Sequence, residues 1–185
     1  ALSTGAKLAG CWLNTGEGGL VPEEAWLARG YTDREMTRKK WDPGGYVIIQ
    51  WSTGRWGVSV DYLNSGDAVE VKIGQGAKPG MGGHLLGAKV TEDVSRVRGV
   101  PIGSDALSPC RYYDVETLED MKHMVAFLRD VTHYQCPVLF KLGPSRPYAD
   151  VAACIEAGAD AISIDGLVGG TGCSRVPPAA PASTR

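Results

Sequence analysis

No apolar run in the chain approaches the roughly 18 residues that a membrane-crossing helix needs, and the opening ALSTGAKLAG lacks the basic entry and apolar centre of a secretory signal. The reading is a cytoplasmic protein. Charge of one sign is missing too: 19 basic against 21 acidic residues leave a formal net charge of −2, with no basic block and no acidic tail. That removes the long-range attraction that nucleic acid or an anionic membrane surface would require, so the expected partner is a small molecule or another protein. Cysteine is sparse and poorly spaced for metal. Cys11, Cys110, Cys136, Cys154 and Cys173 are odd in number and include no C-x-x-C pair, which argues against a disulfide framework or a local zinc or iron–sulfur knuckle and predicts buried thiols. An initiator methionine is also absent, and the chain starts in mid-pattern at Ala1, as a fragment would.

What remains is enough for one domain with a core, at 185 residues and 43% hydrophobic. Its centre is VEVKIGQGAKPGMGGHLLG, positions 69–87. Val69 to Ile73 read as a buried strand, which Gly74, Gly76, Gly80, Gly82 and Gly83 then break into a loop. So few side chains leave backbone N–H groups open and let a ligand come close, with Gln75 and Lys78 as the long polar groups able to touch it. Two readings fit: an anion-binding mouth, or a surface connection with a solvated lysine. A Walker loop does not fit, because Pro79 follows Lys78 and blocks an immediate helix start.

The same unit of strand then polar loop recurs. Residues 6–13 read as a strand ending in Asn-Thr-Gly-Glu-Gly-Gly with Glu17, and 46–51, YVIIQW, as a strand after an Asp-Pro-Gly-Gly turn, delivering Gln50 near its end. Further strands are expected at 105–108, 137–142 and 161–165. Helices are expected at 22–29, at 92–98 ending with Arg98 before Gly99, at 115–131 capped by Asp114, and at 148–157 closed by Gly158. In parallel α/β folds ligands lie beyond the carboxyl ends of the strands, so residues just after them are the favoured places for chemistry. Lys141 interrupts the apolar run PVLFKL. Buried without a partner it would cost several kcal/mol, so it should face a polar mouth. On residue type alone, Glu17 reads equally well as a solvated loop carboxylate, Gln50 as a backbone cap and Arg98 as a complement to a helix end. Met121, Met124 and Phe127 read as core or near-core packing, and His123 and His133 lack a partner at a telling spacing. The ending CSRVPPAAPASTR, 173–185, has no apolar periodicity and reads as a disordered tail to a domain at 1–172.

As whole strings, IGQGAKPGMGGHLLGAKV and NTGEGG resemble the FMN-binding domain of glutamate synthases and the related glutamate-synthase-like subunit of methylamine-glutamate N-methyltransferase (N-methylglutamate synthase). The resemblance implies a (β/α)8 barrel. Such a barrel takes about 250 residues, so the expected fold is α/β with parallel strands, a partial TIM barrel lacking its last β/α units. Those units usually hold the flavin phosphate, and the cysteine cluster of the family's 3Fe–4S centre is not encoded. The implied reaction is reductive amination of 2-oxoglutarate with ammonia through 2-iminoglutarate, with hydride from reduced FMN. Gln75, Lys78 and Arg98 would hold the carboxylates, Glu17 would handle the amine or its proton, and Gln50, Lys141, Gly169, Gly170 and Thr171 would contact the flavin. Thr117 stands where the family places a substrate-touching serine.

Two departures from the glutamate synthase pattern point to the methylamine branch. Ser-Pro-Cys-Arg-Tyr-Tyr-Asp at 108–114 replaces Ser-Pro-Pro-Pro-His-His-Asp, and KLGPSRPYADVAACIEAGADAISIDGLVGGTG is similar to N-methylglutamate synthase. That branch would use methylamine and glutamate as outer reactants. Partner subunits supplying amine or electrons are a further implication. The alternative to an enzyme is a non-catalytic remnant, or a piece that a partner chain completes.

Overall fold

The computed structural model describes residues 2–19, 46–166 and 168. The expected helix at 22–29, the turn before β2, the loop residues Gly169, Gly170 and Thr171, and the tail all lie outside the described residues.

Five strands form one all-parallel sheet: β1 (Leu13–Asn14), β2 (Val47–Trp51), β3 (Ala68–Lys72), β6 (Val138–Leu142) and β7 (Ala161–Ile164). The order follows the chain except that a two-stranded antiparallel ribbon, β4 (His84–Leu85) with β5 (Ala106–Leu107), is inserted between β3 and β6. The sheet curls into half of a barrel, as a partial TIM barrel does. The helices are α1 (Leu2–Ala9), α2 (Val60–Asn64), α3 (Glu92–Arg98), α4 (Leu118–Val131) and α5 (Pro147–Ala157).

Strand alternation decides what each face carries. Val47, Ile49 and Trp51 of β2, Val69 and Val71 of β3, and Val138, Phe140 and Leu142 of β6 join one core with Leu63 of α2, Met124, Val125 and Leu128 of α4 and Cys154 of α5. The opposite, concave face therefore receives Gln50, Glu70, Lys72 and Lys141. The parallel registers pair Gln50 with Glu70 and Lys72 with Lys141.

Several expectations are corrected. Residues 6–13 are not a strand: α1 occupies Leu2–Ala9, and only Leu13 and Asn14 pair with β2. Alanine, lysine and leucine favour helix, and no β-branched residue stands between Gly5 and Leu13 to oppose them. Gly10, at φ +65°, then ends the helix in a Schellman motif, with Gly10 N donating to Lys7 O at 3.0 Å and Cys11 N to Ala6 O at 2.9 Å. Asp114 does not cap α4. The helix begins three residues later than expected, in a capping box where Thr117 Oγ1 accepts from Asp120 N at 3.2 Å and Asp120 Oδ2 from Thr117 N at 2.8 Å. Asp114 instead accepts from Arg55 Nη2 through both carboxylate oxygens, at 2.7 and 2.8 Å. Of the described cysteines, Cys136 and Cys154 are buried as expected, whereas Cys11 and Cys110 are exposed; none forms a disulfide. Met124 enters the core and Met121 packs against it, while Phe127 is half exposed beside Trp51, their rings 5.9 Å apart.

At the amino end of β6, Asp160 Oδ2 accepts from Val138 N at 2.7 Å and from Arg129 at 3.0 Å. Partial burial disfavours its charge, but the Arg129 guanidinium and the Val138 N–H outweigh that and hold the carboxyl below its ordinary 3.8. Its stabilising effect is thus fully present above the unfolded value and lost as pH falls through the folded one. Thermal melts across the acid limb should show the loss, and Asp160→Asn should flatten it. Phe140→Ala, at a site with no solvent exposure, should lower unfolding free energy by about 3–5 kcal/mol in urea titrations.

Candidate active site at the carboxyl ends of the strands

The loop carrying Gln75 and Lys78 leaves β3 at the end where Lys141 sits. Ile73 N and Gly74 N both donate to Lys141 O, at 3.0 and 3.3 Å. Lys78 is 5% exposed, buried within this loop, and its backbone carbonyl closes a turn with Met81 N at 3.2 Å. Gln75 lies across the tip of β6, so close that a Cβ on Gly143 would stand 3.1 Å from Gln75 O. These two residues and Lys141 therefore share one end of the sheet.

Glu17 reaches the same end from the turn after β1. Its Oε2 pairs with Lys72 Nζ at 3.0 Å, with both side chains about 85% out of water. A buried pair of this kind gains little net stability, because desolvation offsets the attraction, but it fixes where each charge stands. Behind Glu17 the chain has no room for side chains. A Cβ on Gly83 would strike Glu17 Oε1, and one on Gly18 would lie 2.9 Å from Arg98 Nη2. Arg98, the last residue of α3, stacks 4.7 Å above the Trp56 ring and so leans over the Glu17 turn. Cation–π contact and the glycine floor hold the guanidinium in place.

Deeper in the concave face stands a polar cluster. Glu70 Oε1 accepts from Gln50 Nε2 at 2.7 Å and from Asn14 Nδ2 at 2.8 Å, with Gln50 and Glu70 each 4% exposed. Because a carboxylate only accepts, it fixes which end of the Gln50 amide faces it. Gln50 Oε1 is consequently left buried without a hydrogen-bond partner, an acceptor awaiting a donor. At the other side of the sheet, Lys141 Nζ lies 3.6 Å from Asp165 Oδ2, just beyond β7.

Thr117 stands apart from the residues just described. It is exposed, and its hydroxyl is engaged with Asp120 in the α4 cap. Glu70, Lys72, Asn14 and Asp165 were missed in the sequence. The signal for the first two was available: a glutamate and a lysine alternating with Val69 and Val71 in a central strand are as anomalous as Lys141, and for the same reason.

A model described as a conserved region in glutamate synthase matches residues 1–179. The chain belongs to the glutamate synthase family. It is 45% identical over 175 residues to an archaeal-type glutamate synthase [NADPH] of Thermotoga maritima, covering 94% of this chain and 31% of that protein. A glutamate synthase large subunit-like protein of Rhizobium meliloti is 37% identical over 95% of this chain and 36% of its own length. The large chain of glutamate synthase [NADPH] from Azospirillum brasilense is 36% identical over 94% of this chain and 11% of its own. The chain thus spans about a third or less of the relatives it matches.

Removing the Glu70 carboxylate by Glu70→Ala would strand the buried Gln50 amide, and denaturant titration should register a loss of about 1–3 kcal/mol. Gly83→Ala should leave global stability nearly intact yet displace Glu17 from Lys72, visible as a changed Lys72 side-chain signal in NMR.

Proposed function

We propose that this chain forms part of an FMN-dependent glutamate synthase-type site, in which 2-oxoglutarate is reductively aminated through 2-iminoglutarate. The observation that carries the reading is the gathering, at one end of a parallel half-barrel, of the Glu17–Lys72 pair, Lys141, the buried Gln50 acceptor and the loop bearing Gln75 and Lys78. The residues present suit the edge of an isoalloxazine ring. Gln50, its amide nitrogen committed to Glu70, offers its carbonyl oxygen to a ring N–H, and Lys141 offers positive charge to a ring carbonyl. When bound, FMN supplies hydride chemistry.

The chain's own residues do the rest. Gln75, Lys78 and Arg98 hold and orient the two carboxylates of 2-oxoglutarate, for which a planar guanidinium fork is the best match. Glu17 holds or passes a proton at the incoming amine, with Lys72 fixing its position in a site largely shielded from water. The burial of Lys78 and Glu17 strengthens each interaction relative to bulk solvent. Gly169, Gly170 and Thr171 would add to the flavin contacts. The similarity to glutamate synthases of Thermotoga maritima and Azospirillum brasilense supports the substrate class.

A second reading, N-methylglutamate synthase with methylamine as the amine, is favoured by the 108–114 segment. There Tyr112 is buried, its hydroxyl donating to Lys72 O at 3.2 Å, and Tyr113 bonds Arg55 at 2.9 Å, where the glutamate synthase pattern carries two histidines.

Titration of FMN fluorescence tests the first reading. The wild-type chain should quench it, and Lys141→Met and Gln50→Leu should each weaken binding by about tenfold, the loss of one charged or buried hydrogen bond. A chain that never quenches FMN is not a flavoprotein by itself. With FMN bound, a preference for methylamine over ammonia in product formation would select the second reading.

A further inference from the structure

We propose that Asp165 is the positioning residue that joins the two sides of this site, holding the flavin-side lysine and the substrate-side loop through one carboxylate oxygen; the assignment of the two sides rests on the function proposed above. Asp165 Oδ2 accepts from Gly76 N at 2.9 Å and stands 3.6 Å from Lys141 Nζ. Its own backbone is anchored, with Asp165 N donating to Leu142 O at 2.8 Å at the end of β6. The glycine loop fits against it with no space to spare. A Cβ on Gly76 would run into the carbonyl oxygens of both Asp165 and Gly166.

Gln75 is therefore held on both sides: Gly74 is bonded to Lys141 O, and Gly76 to the Asp165 carboxylate. Lys78 follows two residues later. The loop that leaves β3 thus takes its position from β6 and β7, across two strand boundaries, and the strand order β3-β6-β7 places Lys141 between the loop's origin and its tether. A carboxylate suits this role because it can serve an ammonium and an amide N–H together. If Lys141 turns toward an anionic ligand, Asp165 loses one partner and keeps the other, so the loop stays ordered while the lysine moves.

Amide hydrogen exchange at Gly76, measured by NMR on the full chain without ligand, tests the tether. Asp165→Ala should exchange about tenfold faster or more, while Asp165→Asn, whose amide oxygen still accepts, should stay within about threefold of wild type. Lys141→Met should leave the rate near wild type. Exchange in Asp165→Ala within about twofold of wild type would overturn the proposal. So would acceleration in Lys141→Met equal to that in Asp165→Ala, since the lysine would then be ordering the loop. Should Asp165→Ala fail to fold, the Asp165→Asn and Lys141→Met rates decide by themselves. Calorimetric titration with 2-oxoglutarate gives the functional arm: affinity should fall about tenfold in Asp165→Ala and by less in Asp165→Asn. Wild-type chain that binds no 2-oxoglutarate sinks the functional reading, and the exchange rates still settle the tether.

Discussion

The alternation of β3 is the constraint on which the rest depends. Val69 and Val71, with no solvent exposure, enter the core with β2, β6 and the helices. Once they do, a period of two leaves Glu70 and Lys72 on the concave side with no choice of face. The parallel registers carry the effect outward. Gln50 must stand beside Glu70 and Lys141 beside Lys72, so that one buried strand dictates the chemistry of its two neighbours. Two lysines side by side would repel, and the structure relieves this by giving each a carboxylate from the opposite direction: Glu17 from the β1 side, Asp165 from the β7 side.

Much of this was legible in the sequence, and the legible parts share a cause. α3, with Thr91 as its cap and Gly99 left-handed after Arg98, matches the expected limits because both ends carry local signals. β6 and α5 were found within one residue, again from an apolar run and from a helix ending in glycine. The first segment was misread because Ala6 to Leu13 is apolar without a period, and an apolar run of that length does not distinguish strand from helix. α2 and β4 went unseen, being too short to repeat any pattern: five residues and two.

The site was legible in a different way. Glu17, Gln75, Lys78 and Lys141 stood out as polar residues at strand ends, and the structure gathers the elements that carry them. Glu70 and Asp165 did not stand out, because their roles exist only through partners distant in the chain: Asn14 lies 56 residues from Glu70, and Gly76 lies 89 from Asp165. Local spacing holds no record of such contacts. The buried charge in β3 was the one clue available without coordinates.

The glycines of the central loop carry a last point, since their number suggests looseness and their surroundings show the reverse. Glycine loses more conformational freedom on ordering than any other residue, so a loop with five of them is costly to hold in one shape. Three of the five are needed for close approach. A Cβ on Gly76 would meet the β7 tip, one on Gly82 the carbonyl of Ser108, and one on Gly83 the Glu17 carboxylate. The hydrogen bonds follow the same contacts, with Gly76 N on Asp165, Gly83 N on the Ser108 hydroxyl, and Ser108 N returning to Gly83 O at 3.0 Å. A larger residue at Gly76 or Gly82 would meet backbone and push the loop off its neighbours, whereas at Gly83 it would displace the Glu17 side chain. Absence of side chains here serves proximity, and the order of the loop comes from what it touches.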